Sequence, residues 1–191
     1  MVAHLINVKR SRWTAPRIQA RDRRFAAIHE AGHVVIAQKF GFPCSASIWP
    51  DIDSREETWL ENKTWLGNVR IQYPMTFGRD LTARRRRRMI AVAGGIAEAF
   101  WKCRNRGLDL DSCLHSDCWD LFGLNYELDF DVMSESDWSL SGCEPVYPDG
   151  PFFTAVRKVA VLLRPDGGAL WPELIRIARG LIEDSRTRHP G

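Results

Sequence analysis

The residues with the plainest chemical potential are His29-Glu30-x-x-His33. On a helix, positions four apart share one face, one turn above the other. His29 and His33 can therefore offer two imidazoles to a single metal ion. Zinc suits them, because it takes neutral imidazole, prefers four ligands and acidifies a bound water to about neutral pH. The Glu30 carboxylate, next to the first ligand, is placed to take a proton from that water and hand it to a leaving amine. Three fixed letters are a weak signal alone, and the alternative is a core helix that carries two histidines.

Two histidines need a third protein ligand. The His-Glu-x-x-His-x-x-Gly-x-x-His arrangement is excluded, since Ile36 and Lys39 stand where it needs Gly and His. Three distant candidates remain: Asp137 in Met133-Ser-Glu-Ser-Asp-Trp138, Asp117 in His115-Ser-Asp-Cys118, and Glu98 on a glycine-rich helix. Either aspartate could instead simply cap a helix. Cys113, His115 and Cys118 could form a separate thiolate site, but their spacing fits no standard zinc pattern.

The elements that position these groups can be read in order. Residues 1–21 are basic and aperiodic, and read as a mobile leader or a loose first turn. A helix is expected over about 22–40, with Asp22 as its cap and Gly41 and Pro43 at its end. Gly32, in mid-helix, costs about 1 kcal/mol relative to alanine, which implies close approach of another backbone or of a substrate. Cys44–Pro50 and Thr64–Tyr73 read as strands of an antiparallel pair. Such an edge beside a metal helix can hold an extended peptide through main-chain hydrogen bonds, with Leu66, Gly67, Asn68 and Val69 as the binding residues. Helices follow at about 80–102, 152–163 and 171–184, separated by an irregular acidic stretch at about 103–136. Gly94-Gly95 implies close contact with the first helix. Arg84 to Arg88 read as a solvated helix surface, with an anionic partner as the sharper alternative.

The chain has 191 residues, 45% of them apolar, and a formal net charge of +3. That fits one mainly helical domain with a small β-hairpin and gives no sign of nucleic-acid binding. Five cysteines without a Cys-x-x-Cys pair suggest no disulfide framework and a reduced, cytoplasmic setting. The N-terminus lacks the order of a signal peptide, no run of 18 apolar residues exists, and no phosphate-binding loop is present.

Several segments together resemble the peptidase domain of the FtsH-type ATP-dependent zinc proteases. Ala27-Ile-His-Glu-Ala-Gly-His-Val-Val resembles that family's zinc helix, and Ala46-Ser-Ile-Trp-Pro50 its first strand. Trp65-Leu-Gly-Asn-Val-Arg-Ile resembles its edge strand, and Ala93-Gly-Gly-Ile-Ala-Glu98 its Gly-Gly-Arg-x-Ala-Glu helix, with Ile96 in place of the arginine. The resemblance covers about residues 22–140 and implies a zincin-like fold, Zn2+ as cofactor and a polypeptide substrate. It also implies an aspartate as third ligand, at a Ser-Asp step opening a helix. Asp137 is preferred, Asp117 comes second, and Glu98 third, because the family's glutamate there looks structural. The family's ATPase ring and membrane anchor have no counterpart here, so a separate unfoldase partner, or substrates already unfolded or short, is expected. A homo-oligomer is compatible with this picture. The competing reading is a regulatory module that keeps zinc but captures a partner without cutting it; a third is an anion-binding module built on Arg84–Arg88.

Overall fold

Alanine, valine and isoleucine dominate the middle of the first long helix because that part is buried on nearly every side. In the computed structural model, which describes residues 15–52, 64–74, 80–107 and 150–188, helix α1 spans Ala15–Lys39 and every residue from Ala27 to Ala37 is buried. It starts earlier than the sequence suggested, so residues 15–21 belong to it and not to a leader. Asp22 is therefore no cap. It lies inside the helix, buried, and its carboxylate accepts from both the backbone N–H and the hydroxyl of Thr64 at 3.0 Å. Gly41 ends the helix with a φ of 77°, a conformation that favours glycine, and donates its N–H to the Gln38 carbonyl.

After the helix, strands β1 (Cys44–Pro50) and β2 (Trp65–Ile71) pair antiparallel, with Ile48 opposite Gly67 and Cys44 opposite Ile71. The hairpin lies on α1. The period-two rule holds along β2: Trp65 is buried, Gly67, Val69 and Ile71 are half-buried, and Leu66, Asn68 and Arg70 are exposed. Asp22 ties the start of β2 to the helix. Two hydrogen bonds to a buried charged acceptor contribute roughly 1.5–3 kcal/mol each.

Helix α2 (Leu81–Arg106) begins at Asp80, whose side chain accepts from the Ala83 N–H at 2.6 Å. It runs antiparallel to α1, as contacts in descending order show: Phe25 with Lys102, His29 with Glu98, Gly32 with Ala93, His33 with Ile90, Phe40 with Arg86. Helices α3 (Pro151–Leu163) and α4 (Trp171–Arg188) complete the described fold, α3 against α2 and α4 against α1 and β1. Phe152, Phe153, Val156, Val159 and Leu163 fall on one face of α3 and are fully buried. The described residues are thus mainly helical, four helices and one two-stranded antiparallel hairpin. No helix among them is long and apolar enough to cross a membrane.

Cys44 is a free thiol whose burial pushes its pKa up. Cys103, near the end of α2, is disulfide-bonded, a pairing the cysteine spacing had not indicated. Disulfides persist in oxidising compartments, so the reduced setting expected from the sequence gains no support from it. The acidic stretch, apart from residues 103–107 at the end of α2, lies outside the described residues.

Candidate metal centre

At Gly32 of α1, helix α2 presents only alanines. A Cβ on Gly32 would stand 2.5 Å from the Ala93 carbonyl oxygen and 2.9 Å from the Ala97 Cβ. That is the close backbone approach which the mid-helix glycine implied. The intimacy brings polar groups of the two helices together in the core, where each must find a partner.

His29 and His33 are both buried, and their ring centroids lie 4.9 Å apart. Each ring is held through Nδ1. The His33 Nδ1–H donates to the Ile90 carbonyl of α2 at 2.7 Å. The His29 Nδ1 meets Glu98 Oε2 at 3.2 Å, and the ionised carboxylate can only accept there. A proton on Nδ1 puts the lone pair of each ring on Nε2, the atom through which a metal would be held. Both Nε2 atoms face Gly94: a Cβ there would stand 2.6 Å from His29 Nε2 and closer still to His33 Nε2. Gly94 does approach the first helix, but against two imidazoles and not against backbone.

This arrangement fits a divalent metal with a taste for nitrogen. The donors are paired imidazoles in the tautomer that ligation needs, and each is oriented from behind by a carboxylate or a carbonyl. His29 and His33 would hold the metal. Among the described residues, no three His, Cys, Asp or Glu side chains gather in a way that could hold one by themselves. Asp137 and Asp117, the preferred third ligands, lie outside the described residues, as do Cys113, His115 and Cys118.

Glu98 is placed, and not as a ligand. Its Oε2 addresses the His29 nitrogen that points away from Gly94, while Oε1 lies 2.7 Å from Lys102 Nζ, one turn along the same helix. The carboxylate is 1% exposed, and Lys102 matches its charge in a site that water barely reaches. In a metal-loaded site Glu98 would position the His29 ring. The sequence held a signal for this pair, since a glutamate followed by a lysine four positions later is the favourable helical order. No comparable signal marked the Ile90 carbonyl. Replacing Glu98 with alanine should weaken zinc binding by about 10- to 100-fold, the usual cost of losing such a partner. Competition against a chromogenic chelator reads this directly, and unchanged affinity would remove Glu98 from the site.

Glu30 follows His29 and is also buried. Its carboxylate lies against β2: a Cβ at Gly67 would stand 2.5 Å from Glu30 Oε1. Glycine at this point lets the strand reach the carboxylate. Of the four residues expected to bind a peptide, Gly67 and Val69 turn toward the helix side while Leu66 and Asn68 face outward. Beyond its pairing with β1, β2 has no strand partner among the described residues.

The chain matches no protein-family model and no curated protein, so the geometry of this site carries the functional reading.

Proposed function

We propose that the protein is a zinc-dependent metalloendopeptidase with a zincin-like fold of the FtsH peptidase type. The observation that supports this most is the convergence of two imidazoles, each with Nδ1 engaged, on one face beside a buried carboxylate that touches an edge strand. Zinc held there supplies a Lewis acid that polarises a carbonyl and acidifies water. His29 and His33 bind it through Nε2, with Asp137 as the third ligand and Asp117 as the alternative. The substrate pairs with β2 as an added strand, held in register by main-chain hydrogen bonds alongside Leu66, Gly67, Asn68 and Val69. Glu30 takes the proton of the attacking water on its carboxylate and passes it to the amine that leaves. Burial of Glu30 between α1 and β2 excludes bulk water and fixes its direction.

The test is zinc content by elemental analysis in wild type, Asp137→Ala and Asp117→Ala, with hydrolysis of an unfolded protein assayed alongside. Zinc and activity should vanish together in Asp137→Ala and persist in Asp117→Ala. Loss only in Asp117→Ala would transfer the ligand. Zinc retained in wild type with no hydrolysis of any unfolded chain would make the protein a zinc-dependent binding module instead.

A further inference from the structure

A group of basic residues lies on one side of the candidate centre. On the side beyond His33, toward the end of β2 and the start of α2, lie Lys39, Arg70 and Arg84 to Arg88. Asp80, at the start of α2, is engaged in capping that helix. Neither strand contains an acidic residue, and Arg70 is the sole charged residue of the described segment 64–74. Arg70 is exposed on the same face of β2 as Leu66 and Asn68. Two further guanidinium groups are pinned nearby on aromatic faces. Arg86 lies 5.5 Å over the Phe40 ring and Arg87 5.5 Å over Tyr73, two residues past the strand. Stacked this way, they keep their charge beside the strand end at little cost in side-chain freedom.

A peptide paired with β2 would place every second side chain opposite Leu66, Asn68 and Arg70, with Cβ atoms about 5 Å apart. Glu30 meets β2 at Gly67. Arg70 lies three residues farther along, about 10 Å at 3.3 Å per residue. Opposite charges across a strand pair attract and like charges repel. We propose that the substrate is an acidic extended polypeptide segment, in which Arg70 reads a carboxylate side chain about three residues from the bond that is cut, with Arg86 and Arg87 reinforcing the field. This rests on the peptidase reading above and adds to it a class of substrate.

The experiment uses quenched peptides of one parent sequence, with Glu or Lys placed in turn at each position near the cut. Cleavage by the zinc-loaded wild type gives kcat/KM. Binding to zinc-loaded Glu30→Gln, by fluorescence anisotropy, gives Kd without turnover. Glu should be favoured over Lys by about two- to fivefold at one position roughly three residues from the cut, as for an exposed ion pair. The preference should shrink between about 50 and about 300 mM salt, and Arg70→Glu should reverse it at that position alone. Equal treatment of Glu and Lys, or a preference that survives Arg70→Glu, overturns the proposal. So does an oligonucleotide of matching charge that binds more tightly than the acidic peptide. The two readings fail separately: charge-blind cleavage leaves the peptidase and removes the acidic substrate, whereas charge-selective binding without cleavage removes the peptidase and keeps Arg70 as the reader.

Discussion

Glu30→Gln is expected to abolish peptide hydrolysis while zinc stays bound. The substitution keeps the shape of a buried side chain that already lies against Gly67. It takes away the one property that matters for proton transfer, a basic oxygen. Loss of a positioned general base costs on the order of 10²–10⁴ in rate. Glutamine is no worse a neighbour for the two imidazoles, whose orientation comes from Glu98 and Ile90, so elemental analysis should find the wild-type zinc content. Cleavage of a fluorescein-labelled unfolded protein is the readout. Retained activity would show that another group moves the proton. Loss of zinc along with activity would show that Glu30 shapes the metal site.

A second large effect is expected from a substitution that adds a single carbon. In Gly94→Ala the new methyl would occupy the space into which both Nε2 atoms point, 2.6 Å from that of His29. Contacts that short are not sustained, so one or both rings must turn. Turning breaks the Nδ1 bonds that hold them, at about 1–3 kcal/mol for each buried group left unpaired. Zinc affinity should fall by at least the 10- to 100-fold seen when an orienting partner is lost. Alanine is nonetheless the better helix former by about 1 kcal/mol, so helicity by circular dichroism should survive. Gly180→Ala is the control: a Cβ there meets nothing within 4 Å, and zinc binding should not change. If Gly94→Ala binds zinc as the wild type does, the two imidazoles do not share an ion on that face.

Much of the frame was legible in the sequence because it depends on local rules. Period-two alternation and Pro50 placed both strands to within a residue or two. Apolar periodicity placed the four helices, and Gly41 ended the first one as a left-handed cap. The spacing of His29 and His33 set them on one helix face, one turn apart, with Glu30 beside the first, since 3.6 residues make a turn whatever surrounds it.

Groups far apart in the chain were decided by packing. Asp22 reads as a cap from its neighbours, yet α1 begins earlier and delivers that carboxylate to Thr64. Glu98 reads as a candidate ligand, yet the antiparallel crossing of α1 and α2 aims it at Nδ1 of His29 and gives it Lys102. Gly94 signalled close contact with the first helix, and Gly67 read only as part of a peptide-binding strand; only the folded chain shows that one faces two imidazoles and the other a carboxylate. Short-range periodicity fixes which side chains share a face. What that face meets depends on how closely two helices can approach, and at Gly32 and Ala93 that distance is set by the absence of a single methyl group.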